Sequence, residues 1–425
     1  MKLLLLLMLL GATPLASSQE DDFTVDPLGD ESAGLDLAAE EERLEEEVLG
    51  SPVQRLAYSI SEFGYDLYRS VAKRENGANI FLSPLAVAAG LSALSLGADS
   101  TNKEILQRIL NYGQLQDIDV HAVFKELLAD TSTQNKQFDI VSRIFGKKRL
   151  RMKQAFLSQV SQYYGARPRA VGTNTQREVQ VINRWMRGQR GDKMSQFIRK
   201  IPANLSLLLL SAAQHQGQLL TEFNTADTRK QPFRSSDGRQ VNIPMMNSQH
   251  YPLRYGYDSE INCKIGLLPL HGDLSLLIFL PSGPTYNLSA VEQSLTPIFV
   301  HDLVYQLQPV RASVSIPILT IDSGLELRDV LGEMGLSPLL SQTDLSRLTT
   351  SSQAFITSVQ TRLSLALEEQ GLEEASPPSA NQPNLHINFH VDRPFILVLS
   401  HNPSGCLLYV ARVLHLPQPP ASGHS

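Results

Sequence analysis

The sequence predicts an α+β fold in which helices come first and antiparallel sheets follow. Apolar residues recur at helical spacing up to about residue 190, whereas short apolar runs typical of strands dominate from about residue 205 onward. Of the 425 residues, 42% are hydrophobic and 19% are charged. This composition is that of a globular protein, and it excludes a collagen, a wholly disordered chain and a multi-span membrane protein.

Seven segments are predicted to be helical. The second of them follows Ser83-Pro84, where a serine hydroxyl can cap free N–H groups and proline tolerates the first turn. Because this helix is apolar on most sides, we expect it to be buried. The helices are predicted over Val53–Arg74, Leu85–Leu96, Asn102–Leu110, Val120–Thr131, Lys153–Tyr164, Arg177–Arg187 and Leu325–Met334.

Strands are predicted where a short apolar or alternating run lies between turn residues. No internal repeat and no long linker separates these runs, which favours one large domain over residues 51–416, followed by a short tail over residues 417–425. The strands are predicted over Ile80–Leu82, Ile140–Phe145, Leu205–Ala213, Arg239–Met246, Ile261–Pro269, Leu274–Leu280, Ala312–Leu319, Thr357–Leu367, His386–His390, Phe395–Ser400 and Leu407–Leu414.

Residues 1–18 are predicted to be a secretion signal. A basic start at Lys2 precedes the apolar run Leu3–Leu10, and small residues follow at Ala16, Ser17 and Ser18. The run is shorter than the ~20 apolar residues that span a bilayer, which disfavours a membrane anchor. We therefore expect a secreted, extracellular protein without membrane insertion.

Two N-x-Ser/Thr sequons are present, at Asn204 and Asn287. Asn287 follows the turn residues Pro281–Pro284, so it is the expected glycosylation site. Asn204 leads into the apolar run Leu205–Leu210, and we expect it to be too buried to carry a glycan.

Residues 19–50 are predicted to be a solvated acidic arm. Residues 20–50 contain thirteen acidic side chains against Arg43 alone, a net charge of −12. The overall charge of −6 therefore hides a body that carries about +5 from residue 51 onward.

Several motifs, in the expected order, resemble the serpin family. They are Asn79–Pro84 (NIFLSP), Leu91–Ala98 (LSALSLGA), Asn183-Arg184-Trp185, Pro244-Met245-Met246, Leu276–Pro281 (LLIFLP), Phe389–Phe395 (FHVDRPF) and Asn402–Gly405 (NPSG). The similarity covers about residues 53–416 and implies eight to nine helices, three β-sheets and an exposed reactive-centre loop. Within the family it is closest to the non-inhibitory clade F type, which implies a monomeric, cofactor-free factor with neurotrophic and anti-angiogenic activity through a cell-surface receptor.

The loop hinge departs from the pattern of inhibitory serpins, whose cleaved loop inserts as a new central strand. Insertion would carry Glu374 to the same face as Leu372, and burial of an unpaired carboxylate costs several kcal/mol. Prolines lack the N–H that a central ladder requires. The predicted hinge set is Glu369, Gly371, Leu372, Glu373, Glu374, Pro377 and Pro378, with Pro383 as a further interruption.

Other positions also depart from the family pattern. Thr361 stands where the resemblance places a histidine of the sheet-opening region, Ser211 where it places an asparagine, and Leu219 where it places a tryptophan. We therefore predict a non-inhibitory serpin. The alternatives are a protease inhibitor cleaved near Pro383–His386 and a hormone-carrier or chaperone-like serpin, the latter disfavoured by the absence of an ER-retention tail.

A basic run predicts a binding site for heparin-like glycosaminoglycans, since cations that neutralise sulfates release counterions. The alternative is a solvated turn with scattered charge. The predicted heparin-binding residues are Lys147, Lys148, Arg149, Arg151, Lys153, Arg187, Arg190 and Lys193, with Arg184, Arg199 and Lys200 nearby in sequence. The resemblance also links collagen to Asp258, Glu260 and Asp302, which are otherwise ordinary surface acids.

No catalytic or metal site is predicted. The sequence has no GxSxG, HExxH or GxxxxGK[ST] motif, so we expect no enzyme activity, and nothing indicates a nucleic acid partner. His386 and His390 share a strand face but lack further ligands. Cys263 and Cys406 lie in apolar strands, where we expect buried free thiols, with a disulfide between them as the alternative.

Overall fold

Nine α-helices and fourteen strands are formed by the residues that the computed structural model describes, which are 50–132, 138–190, 197–282, 288–341, 344–351, 354–373 and 387–417. The predicted α+β class is confirmed. The helices are α1 Pro52–Arg74, α2 Pro84–Ser95, α3 Ser100–Ile109, α4 Val120–Thr131, α5 Gln154–Tyr164, α6 Thr175–Arg190, α7 Leu288–Ser294, α8 Pro297–Gln306 and α9 Arg328–Leu331.

The strands alternate with these helices in the first half and dominate the second half. They are β1 Ile80–Leu82, β2 Phe138–Lys147, β3 Arg169–Val171, β4 Leu207–Thr221, β5 Arg229–Arg234, β6 Gln240–Asp258, β7 Cys263–Leu270, β8 Leu274–Pro281, β9 Gln308–Pro317, β10 Leu319–Glu326, β11 Ile356–Glu373, β12 Ile387–His390, β13 Phe395–His401 and β14 Cys406–Val413.

The first two helices begin in different ways. At α1, Ser51 and Gln54 form a reciprocal capping box, which satisfies free N–H groups at the helix start. At α2, Pro84 occupies the first turn and every residue is buried, as predicted. The predicted cap by the Ser83 hydroxyl is wrong, because that buried oxygen has no hydrogen-bond partner among the described residues.

Three sections of one hydrogen-bonded network correspond to the three predicted sheets. The main section has the order β3-β2-β4-β11-β10, the second runs β1-β14-β13-β8-β7, and the third joins β5, β6, β9 and β12. The sections merge because the long strand β6 pairs with β5, β7 and β9, while Leu219 of β4 pairs with Leu270 of β7.

The centre of the main section is a parallel pair. Strands β4 and β11 are hydrogen-bonded directly to each other from Leu207 and Ile356 at one end to Gly217 and Leu367 at the other. We call this pairing the seam. No strand lies between the two. On the outer sides of the seam, β2 pairs antiparallel with β4, and β10 pairs antiparallel with β11.

Two apolar clusters surround the main section. The larger one fills the space between the sheet sections and helices α1 and α2, with Phe63, Leu94 and Tyr409 among its buried side chains. The smaller one lies where α6 packs on the other side of β2 and β4, and includes Phe145 and Ile182. Among the described residues, the larger cluster includes side chains of both seam strands, whereas the smaller one includes side chains of β4 but none of β11.

The predicted helix over Leu325–Met334 is mostly wrong. Strand β10 continues to Glu326, the α-helix covers only Arg328–Leu331, and a wide turn follows over residues 332–336. Gly335 adopts a φ of 114°, which glycine tolerates and a regular helix does not contain. The patterns also missed β3, β5, β10, α7 and α8.

Candidate functional site

The root of the predicted reactive loop, which is residues 369–373 at the end of β11, is attached to the connection between β4 and β5. The Phe223 N–H donates to the Glu369 carbonyl at 3.0 Å, and the Thr228 hydroxyl donates to Glu369 Oε1 at 2.9 Å. These bonds hold β11 against β4 beyond the last regular pair of the seam. Glu369, one of the predicted hinge residues, thus lies at the attached end of β11.

Gly371 lies in very close contact with the neighbouring backbone. A Cβ atom at this position would come within 2.3 Å of the Glu222 nitrogen, closer than a real side chain allows. The strand pairing shifts between Leu367 and Gly371, which then lies opposite Leu219. Glycine is required here because a larger residue would push the loop root away from β4.

The remaining hinge residues lie at or beyond the end of the description. The Leu372 side chain is 50% exposed, so it does not pack into the sheet. Glu373 ends β11. The predicted hinge residues Glu374, Pro377 and Pro378, and the cleavage region Pro383–His386, lie outside the described residues.

At the middle of the seam, one pair of small hydroxyl side chains occupies positions where the family resemblance places longer ones. Thr361 lies opposite Ser211 in the strand register. The buried Thr361 Oγ1 has no hydrogen-bond partner among the described residues. Ser142 on β2 donates to the Ala86 carbonyl at 2.6 Å and lies 3.0 Å from Ser211 Oγ. These hydroxyl contacts do not bridge β4 to β11.

The end of the seam near residue 206 is held by backbone and hydroxyl contacts. The Ser206 N–H donates to Thr357 Oγ1 at 2.7 Å, and the Phe355 N–H donates to Ser206 Oγ at 3.1 Å. Glu326 accepts the Val359 N–H at 2.8 Å from the other side of β11. The two bonds of Ser206 oppose separation of β4 and β11 at this end, whereas the bond to Glu326 holds β11 to β10.

Five of the predicted heparin-binding residues lie together in the connection from β2 to α5. We call residues Lys147–Lys153 the basic turn. All five cations of the basic turn are exposed, which are Lys147, Lys148, Arg149, Arg151 and Lys153. Arg187 is exposed on α6, a separate element. The Arg190 side chain and Lys193 lie outside the description.

The acids that the resemblance links to collagen are divided between two elements. Asp258 ends β6, and its Oδ1 accepts the N–H groups of Glu260 and Ile261 at 2.9 and 3.1 Å. Asp302 is exposed on α8. Asp258 is thus partly occupied by its own turn, whereas Glu260 and Asp302 are both solvent-exposed.

Of the two sequon asparagines, Asn204 lies within the described residues and Asn287 does not. Asn204 lies exposed in the turn that precedes β4, so the expectation that it is buried is wrong. The apolar run that suggested burial begins one residue later, at Leu205, which is buried. Asn287 lies outside the described residues.

The described histidines and cysteines form no reactive group. Cys263 and Cys406 are buried free thiols, so the disulfide alternative is wrong, and burial raises the pKa of Cys263 to about 12. The His390 imidazole lies 3.2 Å from the Ser313 hydroxyl, and His386 is outside the description. No cluster of three or more His, Cys, Asp or Glu suited to a metal occurs in the part of the chain that the structure describes.

One sizeable cavity lies between α1, α8 and β13. It has a volume of about 650 Å³. Aromatic and cationic side chains line it, among them Tyr58, Tyr65, Arg254, His301, Tyr305 and His401. The Arg254 guanidinium donates to the Val304 carbonyl at 2.7 Å, which fixes its position at the α8 side of the cavity.

Sequence comparison identifies the family. The profile described as "Serpin (serine protease inhibitor)" matches residues 58–416. This chain is a serpin. Its family membership confirms the resemblance noted from the sequence motifs and agrees with the directly paired seam and the loop root at Glu369–Gly371.

Among known serpins the chain is similar to pigment epithelium-derived factor. It is 37% identical to the Bos taurus protein and 37% identical to the Homo sapiens protein, in each case over 365 residues and 85% of this chain, covering 88% and 87% of the two relatives. It is 28% identical to alpha-2-antiplasmin of Mus musculus over 87% of this chain and 74% of the relative.

Solved structures confirm the serpin fold. The structure of mouse protein-Z dependent protease inhibitor matches with a TM-score of 0.78 and 23% identity, over 86% of this chain and 98% of that one. Human thyroxine-binding globulin matches with a TM-score of 0.78 and 22% identity, over 87% and 100% of the two chains. Within the described segments of this serpin, no helix has the length and apolar character to cross a bilayer.

Proposed function

We propose that this serpin is a secreted, non-inhibitory, extracellular signalling factor that binds glycosaminoglycan and matrix. The observation that carries the non-inhibitory part is the mismatch between the loop hinge and the seam. The 37% identity to pigment epithelium-derived factor supports the proposed signalling role through a cell-surface receptor. The proposed glycosylation site is Asn287, and the exposure of Asn204 makes it a second candidate.

Loop insertion would require the seam to open along its whole length. The inserted segment would replace the direct bonds between β4 and β11 and would need its own N–H groups to pair on both sides. Pro377, Pro378 and Pro383 cannot donate such bonds. At about 1–3 kcal/mol for each buried group left unpaired, the prolines greatly weaken the drive to insert.

The acidic residues of the hinge add a charge penalty. Glu373 and Glu374 are adjacent, so in an inserted strand one of them would face the larger apolar cluster. An unpaired carboxylate in such a place costs several kcal/mol or must be protonated. Hinge composition and seam structure therefore both oppose the conformational change that traps a protease.

The decisive experiment exposes the mature protein to trypsin-like and chymotrypsin-like proteases. We expect cleavage of the loop without an SDS-stable covalent adduct, and a melting temperature that is nearly unchanged after cleavage. An adduct, or a large rise in melting temperature, would instead establish the rival function of a protease inhibitor cleaved near Pro383–His386.

The binding partners follow from charge and from the resemblance. The exposed basic turn supports glycosaminoglycan binding, since its cations can release counterions from a sulfated chain. Collagen binding through Asp258, Glu260 and Asp302 rests on the similarity to pigment epithelium-derived factor alone. Retention of Asp302→Asn and Glu260→Gln variants on immobilised collagen, compared with that of the wild type, checks this part.

A carrier of a small molecule is the second candidate, and the cavity between α1, α8 and β13 favours it. A volume of about 650 Å³ lies within the range of pockets that enclose drug-sized ligands. A thermal-shift screen of aromatic anions checks this function, with Arg254→Ala as the control. Failure of all compounds to shift the melting temperature would count against a carrier.

A further inference from the structure

A second chain segment lies directly against the basic turn. We call residues 344–351 the arginine loop. The Lys153 N–H donates to the Leu348 carbonyl at 2.8 Å, and Met152 pairs with Thr349 in an isolated β-bridge. The Thr349 hydroxyl also donates to the Leu150 carbonyl. These contacts hold the backbone of Leu348, the neighbour of exposed Arg347, against the backbone of exposed Lys153.

The arginine loop is held rigidly in this position. The Leu348 N–H donates to the Gly97 carbonyl at 3.0 Å, and Leu345, Leu348 and Thr349 are almost completely buried. The packing is so close that a Cβ at Gly97 would come within 2.6 Å of the Leu348 Cβ. Arg347 therefore projects from a fixed backbone, which lowers the entropy lost when it binds a ligand.

Arg151 has a backbone conformation that is unfavourable for any residue other than glycine. Its φ of 48° and ψ of 68° lie in the left-handed region, which costs a non-glycine residue about 1 kcal/mol or more. Glycine would adopt this turn without that cost. Arg151 nevertheless presents an exposed guanidinium on the basic turn.

The local charge is overwhelmingly positive. The sequence contains no acidic residue from Ile140 to Arg177, while nine basic residues occur there. No ion pair between described residues involves the basic turn or Arg347. Asp344 is the acid on the arginine loop, and its Oδ1 accepts the Ser346 N–H at 2.8 Å. The cations are thus available to an external anion.

We propose that Arg347 completes a composite polyanion site with the five cations of the basic turn, which are Lys147, Lys148, Arg149, Arg151 and Lys153. The inference rests on the proposed glycosaminoglycan binding and names Arg347, from a distant chain segment, as a further ligand residue. The ligand class is a sulfated polysaccharide, because guanidinium groups bind sulfate-like oxyanions through paired N–H donors and the lysines add point charges. The basic turn and the arginine loop together contact a longer stretch of the polysaccharide than the basic turn does alone.

Heparin affinity measured at several salt concentrations tests the proposal. Arg347→Ala is expected to bind heparin ~3- to 10-fold more weakly and to lower the slope of log K against log salt by about 0.7–0.9, as for one lost ionic contact. The matched control is Arg229→Ala, which removes one exposed arginine from β5 and should bind like the wild type.

Arg151→Gly separates binding from folding. It should weaken heparin binding to a similar degree while its melting temperature stays at or above that of the wild type, because the left-handed conformation suits glycine. Lys148→Gly is the control, since Lys148 has no positive φ and its replacement by glycine should lower the melting temperature. Unchanged heparin binding by Arg151→Gly would contradict the ligand role of Arg151, and a lower melting temperature would contradict the argument about its backbone strain.

The triple variant Lys147→Ala/Lys148→Ala/Arg149→Ala distinguishes the composite site from glycosaminoglycan binding by the basic turn alone. If the triple variant loses affinity while Arg347→Ala binds like the wild type, the composite site is wrong and the simpler basic turn stands. If no variant differs from the wild type, both the composite site and the proposed glycosaminoglycan binding at this surface are wrong.

Discussion

His121 on α4 is the half-buried titratable side chain with the clearest consequence at the residue scale. Its Nδ1 lies 2.7 Å from the Tyr164 hydroxyl, and its ring packs against Tyr163 and Tyr164. Burial lowers its pKa to about 4, with Lys103 acting in the same direction and Asp119 opposing it. The folded protein therefore keeps this imidazole neutral at pH values where an unfolded chain would protonate it.

This pKa shift predicts that acid destabilises the protein through His121. Between pH ~6.5 and pH ~4 the unfolded state binds a proton that the folded state does not, so the free energy of unfolding falls as the pH falls. The loss is at most about 3 kcal/mol, and less where solvent reaches the ring.

Urea unfolding of the wild type and His121→Gln across pH 4–7 measures this effect. The difference in stability between the two proteins should change with pH in the stated direction, while other titrating groups, including His401 with its lowered pKa, cancel in the comparison. A difference that stays constant over this range would show that His121 does not contribute.

At the scale of single elements, the attachment of β11 to β4 depends on Gly371. Its Cα lies so close to the Glu222 backbone that no side chain fits between them. The bonds from Phe223 and Thr228 to Glu369 lie two residues away, so a displacement of Gly371 would strain them as well. The loop root is thus fixed by close backbone packing together with hydrogen bonds.

Gly371→Ala is expected to destabilise the protein by about 1–3 kcal/mol, as overpacking against a backbone does. It should also increase the rate of proteolysis at the loop root. Denaturant unfolding and limited proteolysis measure the two effects. Gly188→Ala on α6 is the matched control, because a Cβ there meets open space and alanine favours a helix. Equal stability of the two variants would contradict the packing argument.

The element patterns in the sequence predicted most of these units because helix and strand periodicities are local. Helix α4 was predicted with its observed bounds, and α1 within one residue. Helix α8 was missed although Thr296 caps it and Pro297 occupies its first turn, which together are a local helix-start signal. Strand β5 was missed because Pro232 interrupts a short segment whose regularity comes from its pairing with β6.

At the scale of the whole molecule, the question is whether the cleaved loop can enter the seam. Both the hinge composition and the short hydroxyl side chains at Thr361 and Ser211 distinguish this serpin from the family pattern. Replacement of the hinge separates these two causes, because it changes the inserting segment and leaves the seam intact.

The variant Glu373→Ala/Glu374→Ala/Pro377→Ala/Pro378→Ala should insert its loop after cleavage if hinge composition is the barrier. We then expect a large rise in melting temperature for the cleaved variant and almost none for the cleaved wild type. The same cleavage performed on both proteins, followed by calorimetry, gives the comparison. A cleaved wild type that gains as much stability as the variant would overturn the proposed barrier.

The sequence by itself determined the serpin fold class, the order of most elements, the acidic and proline-rich hinge and the five cations of the basic turn. All of these are encoded over a few adjacent residues, where periodicity, charge and the missing N–H of proline act directly. The prediction that the hinge does not suit a central strand likewise depends only on the residues of the hinge itself.

Only the tertiary structure decided the contacts between residues far apart in the chain. It paired Thr361 with Ser211, exposed Asn204, placed Glu222 against Gly371 and brought the segment of Arg347 and Leu348 against Lys153. These arrangements depend on which strands pair and how apolar faces pack across more than one hundred residues in most cases, and no local pattern contains that information.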